Sequence, residues 1–180
     1  MLTITIPEQE AWNEITEQFE YTKETKLQLE HSLVSISKWE SKWHIPFLGT
    51  DNKTNEQMLD YIRCMTITQN VPEETYGFLT EDNIIEIKEY IDNPMTATWF
   101  NEREKRRPSG EVVTNELIYY WMTALNIPME CQKWHLNRLL TLVKVCELKQ
   151  EKPQKMSRAD IAEQHRQLNA ARRKATHSKG

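Results

Sequence analysis

Cys131 and His135 are the two side chains whose spacing comes nearest to a metal site. Residues four apart share one face of a helix, and thiolate and imidazole groups are common zinc ligands. Cys146 follows fifteen residues after Cys131. A zinc site usually needs a third and a fourth ligand at close spacing, and the sequence contains neither Cys-x-x-Cys nor His-x-x-x-His. We therefore expect no bound metal and a hydrogen-bonded structural role for His135.

Motifs for nucleophilic catalysis and phosphate binding are missing from the sequence. It has no Gly-x-Ser-x-Gly, no Gly-x-x-x-x-Gly-Lys-Ser and no Asp-x-Asp-x-Asp-Gly, and the whole chain has 4 glycines. Cys64 has apolar neighbours, which is typical of a small buried side chain. The carboxylate pairs Glu8/Glu10 and Glu73/Glu74 lie in polar segments. Such surroundings do not raise the pKa of a carboxyl group, as general acid catalysis requires. The sequence therefore predicts no enzymatic activity and no cofactor.

Aromatic residues at helical spacing are the remaining unusual feature. Most of them, including Tyr120 and Trp121, are expected in the core, because large rings contribute most to stability when they are buried. Trp39 and Trp43 flank charged residues, however, and Phe47 follows closely. A partly exposed patch of these rings would suit a protein partner better than solvent. Trp39, Trp43 and Phe47 are therefore predicted as candidate contact residues for a protein partner.

Charge is distributed unevenly along the 180 residues. Residues 149–180 carry nine Lys or Arg against three acidic residues, a net charge of +6, whereas residues 1–148 carry 14 basic and 24 acidic residues, a net charge of −10. A basic tail on an acidic body can bind an acidic partner, a nucleic acid or its own body, or can be a solvated end. The candidate contact residues in this tail are Arg166, Arg172, Arg173 and Lys174.

Length and patterning predict a compact, mainly helical domain over 1–150 and a basic C-terminal tail, helical or mobile, over 151–180.

Three widely spaced cysteines predict no disulfide framework and a reducing compartment. No run of about 18 apolar residues occurs, so we expect no membrane span. The charged segment 101–110 is predicted to be a solvated loop rather than a nucleic-acid contact.

Two stretches at the N-terminus alternate apolar and polar residues, which is typical of strands with one buried face. They are Leu2–Ile6, ended by Pro7, and residues 25–30, which Phe19 and Tyr21 could extend upstream. The acidic segment between them is expected to be a loop or a short helix. The result is an antiparallel sheet of two or three strands, which needs a helix to cover it.

From residue 33 onward the apolar spacing is helical. A first helix is predicted to begin near His31 and to stop at Pro46, and a long one is predicted over about 129–148. Further helix starts are predicted at residues that can cap an N-terminus, namely Thr54, Thr80, Thr114 and Ser157. The predicted fold class is α+β, predominantly α-helical with a small N-terminal antiparallel β-sheet.

Several stretches of the sequence resemble the tail assembly chaperones of long-tailed, siphovirus-like bacteriophages. They are SISKWESKW (35–43), LDYIRCMT (59–66), PMTAT (94–98), LIYYWM (117–122), WHLNRLL (134–140) and LNAARRK (168–174). The resemblance runs over nearly the whole chain. Its motifs are stretches of packed helix rather than chemical signatures, so it transfers no catalytic or ligand residues.

The resemblance implies a non-catalytic helper in virion morphogenesis. Proteins of this family bind the phage tape measure protein, a very long helical protein that sets tail length, and keep it soluble until tail tube subunits arrive. The expected partners are the tape measure protein, the tail tube protein and further copies of the chain, with no membrane partner. The expected location is the cytoplasm of the host cell during assembly, and the chaperone should be missing from the mature virion.

Two alternative functions would also account for these features of the sequence. The chain could be a structural component of the tail or virion, and its presence in mature particles would favour that. It could also be a nucleic-acid-binding phage protein that uses the basic tail and a helix-turn-helix within residues 114–148. Ile127, Pro128 and the acidic body weigh against this second alternative.

Overall fold

The computed structural model describes residues 1–13, 17–50, 52–100, 112–150, 162, 165–169 and 172–173. The fold is α+β and mostly helical, with antiparallel strands at the N-terminus, as predicted. The chain divides into two units, residues 1–147 and 148–180. No helix among the described residues is both long and apolar enough to span a membrane.

Strands β1 (Leu2–Ile6) and β4 (Thr25–Leu29) pair antiparallel, with Leu2 opposite Leu29 and Ile6 opposite Thr25. The predicted alternation is confirmed, because apolar residues of both strands are buried while threonines of β1 face solvent. The edge of β4 that does not face β1 also forms backbone hydrogen bonds. The Glu30 N–H donates to the Met65 carbonyl over 2.9 Å, and the Ile67 N–H donates to the Gln28 carbonyl over 2.8 Å. The sheet is therefore tied to the segment that follows the second helix.

A second strand pair corrects the prediction of a loop or short helix between these strands. β2 (Gln9–Asn13) and β3 (Gln18–Thr22) pair antiparallel, with Trp12 opposite Phe19 and Glu10 opposite Tyr21. Aromatic residues favour extended backbone, and pairing aromatic residues across two strands stabilises a sheet. The acidic composition of the segment obscured this pattern. Residues 14–16 lie outside the described part of the chain.

Among the described residues up to 150, five α-helices follow, namely α1 (Leu33–Trp43), α2 (Asn55–Met65), α3 (Glu81–Asp92), α4 (Asn115–Ala124) and α5 (Leu136–Gln150). The predicted caps are confirmed where the structure describes them. The side chains of Thr54, Thr80 and Thr114 each accept a hydrogen bond from the third residue of their helix. These bonds satisfy backbone N–H groups that a helix start leaves open. Ser157 lies outside the described residues, as does the segment 101–110.

The helix predicted over 129–148 is wrong in its first part. Met129–Lys133 is a 3₁₀ turn, and Trp134 has an extended backbone with ψ 161°, so α5 begins only at Leu136. Tertiary pairing explains the interruption. His135 forms an isolated bridge with Ser32, and the Leu136 N–H donates to the His31 carbonyl over 2.7 Å. The start of α5 is therefore fixed by the residues just before α1.

The core of the first unit forms around α1, which contributes Leu33, Ile36 and Trp39, all fully buried. Helices α2 and α4 pack against this helix. The sheet, α4 and α5 contribute further apolar residues to the same buried cluster, which are Ile4, Ile6, Leu27, Leu29, Ile118, Met122, Leu136, Leu139 and Val143. Burial of so many large side chains supplies the main driving force for folding.

Candidate partner-binding surface

The structure corrects the predicted Trp–Phe patch, because two of its three residues lie in the core. Trp39 is 0% exposed and Phe47 is 6% exposed. Their rings pack edge to face with centroids 5.1 Å apart, and the indole N–H of Trp39 donates to the Gln57 carbonyl over 2.8 Å. A buried indole needs such a partner. Trp39 and Phe47 therefore stabilise the fold and offer no surface to a partner in this conformation.

Trp43, the third residue of the predicted patch, is half-buried and anchors α1 to α2. Its indole N–H donates to Asp60 Oδ2 over 2.8 Å, and Lys42 Nζ donates to Asp60 Oδ1. The hydrogen bond with Asp60 is the main reason that the pKa of Lys42 is raised. Asp60 is buried, and these partners satisfy its carboxylate.

Glu40 is a buried carboxylate near the end of α1. Its Oε1 accepts a hydrogen bond from the Phe47 N–H over 2.7 Å, and its Oε2 accepts from the Asn115 N–H over 2.8 Å and from Asn115 Nδ2. One side chain thus joins α1, the segment after it and the start of α4. Glu40 lies four residues after Ile36, within the apolar stripe of α1, and this position was a signal that it is buried.

His31 and His135 form a second buried polar cluster, with ring centroids 5.0 Å apart. His135 Nε2 donates to the Tyr90 carbonyl over 2.9 Å, and its Nδ1 accepts from the Asn137 N–H over 3.3 Å, so the imidazole is neutral with its proton on Nε2. The structural role predicted for His135 is confirmed. Burial and the neighbouring His135 lower the pKa of His31 to about 3, and burial lowers the pKa of His135.

These polar clusters are not metal centres in the part of the chain that the structure describes, where no three or more His, Cys, Asp or Glu side chains are placed to hold an ion. Cys64, Cys131 and Cys146 carry free thiols. The buried polar groups described above donate to and accept from one another or the backbone. Their arrangement can fix the positions of helices, and it offers no activated nucleophile.

The surface that best fits a protein partner is on α4. Leu117, Tyr120, Trp121 and Ala124 occur at steps of three, one and three, so they form one stripe along the helix. Tyr120 is 66% exposed, Ala124 is exposed, and Leu117 and Trp121 are half-buried. We call these four residues the α4 outer stripe. Ile118 and Met122 on the opposite face are fully buried, so α4 has apolar residues toward both the core and solvent.

The basic tail residues that the structure describes are helical and exposed. Residues 165–169 and 172–173 are in helix, and Arg166, Arg172 and Arg173 expose their side chains to solvent. Leu168, on the same helical run, is 46% exposed. Lys174, the fourth predicted contact residue of the tail, lies outside the described residues.

Removal of the tail is expected to leave the fold nearly intact. The sequence gives the helix predicted from Ser157 a narrow stripe formed by Ile161, His165 and Leu168, so we expect a chain cut after Glu151 to lose little buried apolar area. We expect the melting temperature, followed by circular dichroism, to fall by no more than about 4 °C. Binding to partners or to other copies should weaken, most at low salt. A collapse of the melting temperature, or unchanged binding, would contradict this prediction.

The apolar stripe and the described basic residues of the tail lie at the surface, whereas the buried carboxylates and imidazoles hold the fold together. Comparison of the chain with models of protein families, with curated proteins and with solved structures gives no match.

Proposed function

We propose that this chain is a non-catalytic tail assembly chaperone of a long-tailed bacteriophage, which binds the tape measure protein, keeps it soluble and helps the tail tube assemble around it. The proposal joins the resemblance described above to one structural observation, the α4 outer stripe. Apolar residues at i, i+3, i+4 and i+7 on an exposed helix face form the pattern with which one amphipathic helix contacts another. A very long helical protein presents such faces along its length.

The size and surroundings of the stripe suit a reversible complex. Four residues, two of them half-buried, bury little area on binding, so the contact is weaker than the interface of a permanent complex. A chaperone that yields its place to tube subunits needs such a contact. The acidic surface of residues 1–148 keeps the chaperone itself dispersed, because copies of like charge repel each other.

The test is the affinity of the full chain for fragments of the tape measure protein made by the same phage. Tyr120→Ser should weaken binding by at least about tenfold, since a partly exposed tyrosine is a frequent anchor of interfaces. Ile85→Ser is the matched control, because Ile85 is also exposed on a helix, α3. It should bind like the unaltered chain. The melting temperature should stay close to that of the unaltered chain in both variants. Equal binding by both variants would rule out the α4 outer stripe as the contact surface.

A further inference from the structure

One face of α5 carries two exposed cations. Arg138, Thr141, Lys144 and Val145 lie within about 120° of one another around the helix axis, because successive residues of an α-helix turn by about 100°. Arg138 and Lys144 are exposed, and Thr141 and Val145 between them are half-buried. In the part of the chain that the structure describes, neither cation forms an ion pair. We call these four residues the α5 cationic face.

Aromatic rings border both cations of this face. The guanidinium of Arg138 lies 4.3 Å from the centroid of the Trp134 ring, and Lys144 Nζ lies 4.2 Å from the centroid of the Phe100 ring. Both cations stay exposed in these positions, so each can still attract an anion. Trp99, which directly precedes Phe100 in the chain, is 84% exposed.

Hydrogen bonds from α5 hold the segment that carries Trp99. Asn137 Nδ2 donates to the Ile91 carbonyl and to the Asn93 carbonyl, each over 2.9 Å. Residues 93–100 therefore begin beside the first turn of α5 and reach Lys144, about two helical turns further on. The exposed indole belongs to this segment and lies close to the α5 cationic face.

Charge and spacing favour an acidic amphipathic helix as the partner of this surface. Residues 1–148 carry a net charge of −10, which repels a nucleic acid with a phosphate on every nucleotide. A peptide can instead place a few carboxylates on the cations and apolar side chains on the rings. Arg138 and Lys144 are about 9 Å apart along the helix axis, close to the spacing of acidic residues two turns apart on a partner helix.

We propose that the α5 cationic face and Trp99 bind an acidic amphipathic helix of a partner protein, at a site separate from the α4 outer stripe. Trp99 is the anchor, because a large exposed ring has the most area to bury, and the two cations orient the helix and speed its association. The α4 outer stripe contains no lysine or arginine, so the two surfaces select partners of different charge.

The test is binding of the full chain to a synthetic peptide, followed by fluorescence anisotropy at low salt. The probe is a labelled peptide of about 18 residues, long enough to form a helix, with leucines along one stripe and glutamates on either side. We expect a Kd of about 10–100 μM, as for a small transient interface. Arg138→Glu/Lys144→Glu should weaken binding by at least about tenfold, and Trp99→Ser by at least about fivefold. Raising NaCl to about 0.5 M should also weaken it by about fivefold.

Two control variants separate this surface from the rest of the molecule. Lys23→Glu/Lys38→Glu changes the net charge by the same amount at exposed positions outside α5, and Tyr120→Ser removes a ring from the α4 outer stripe. Both should bind the probe like the unaltered chain. All the altered residues are exposed, so every variant should melt within about 4 °C of the unaltered chain by circular dichroism.

Failure of the unaltered chain to bind the probe would overturn the proposal, as would undiminished binding by Arg138→Glu/Lys144→Glu. Equal loss of binding in both charge-reversed variants would overturn it too, since that is a response to net charge alone. So would loss of binding in Tyr120→Ser, or equally tight binding of a peptide with alanine in place of every leucine. Tighter binding of single-stranded oligo(dT) than of the probe would contradict the proposal and indicate a nucleic-acid surface.

Discussion

Replacing Glu40 with alanine is expected to lower the free energy of unfolding by about 3–5 kcal/mol. The substitution leaves buried donors without an acceptor, namely the Phe47 N–H, the Asn115 N–H and Asn115 Nδ2. Each unsatisfied buried group costs about 1–3 kcal/mol. Because these donors belong to different segments, the loss should loosen both the start of α4 and the segment after α1.

Urea unfolding measures this effect as a lower midpoint with an unchanged m-value. Glu40→Gln keeps one acceptor oxygen and should fall between the alanine variant and the unaltered chain. Glu86→Ala is the matched control, because Glu86 is an exposed glutamate in the middle of α3. It should change stability by less than about 0.5 kcal/mol. If Glu40→Ala is no less stable than Glu86→Ala, Glu40 does not hold these segments together.

Stability is expected to fall by about 2 kcal/mol between pH 8 and pH 5 on account of His31 alone. The pKa of His31 is lowered to about 3 in the folded chain by burial and by His135. In the unfolded chain the imidazole takes up a proton below pH 6.5, whereas the folded chain does not until about pH 3. The unfolded state therefore binds more protons in this window, and acid favours it. His135, whose pKa is also lowered, adds to the same trend.

The measurement is the free energy of unfolding at several pH values between 8 and 5. His31→Gln removes a titrating group, so its stability should depend less steeply on pH, whatever its stability at pH 8. His44→Asn is the control. His44 is exposed and has a left-handed backbone with φ 56°, which asparagine tolerates. Its pH dependence should match that of the unaltered chain. The same slope in His31→Gln would show that His31 does not govern the acid response.

Short stretches of the sequence were sufficient to predict those helices and strands whose formation depends on residues close together in the chain. Thr54, Thr80 and Thr114 cap helices through bonds to residues three positions on, so their roles are visible in short stretches. The alternation of β1 and β4 likewise shows which face is buried. These elements were predicted for the physical reasons that the structure displays.

The structural features that were not predicted depend on contacts between residues far apart in the chain. Glu40 is buried because Asn115, seventy-five positions away, donates to it. The helix predicted from residue 129 is interrupted because residues 134–136 pair with residues 31 and 32. Trp39 and Phe47 were expected at the surface because of their charged neighbours, and the packing of α1 against the rest of the core buries them. The α4 outer stripe was not predicted either, since half-buried aromatic residues share the helical spacing of a core.

The solubility of the tape measure protein in cells that also make this chain is the most direct test of the proposed function. The tape measure protein of the same phage would be produced alone, with the unaltered chain and with Tyr120→Ser, and its soluble fraction measured after centrifugation. We expect it to be largely insoluble alone, soluble and bound to the unaltered chain, and much less soluble with Tyr120→Ser. A tape measure protein that stays equally insoluble with and without the unaltered chain would contradict the proposed chaperone function.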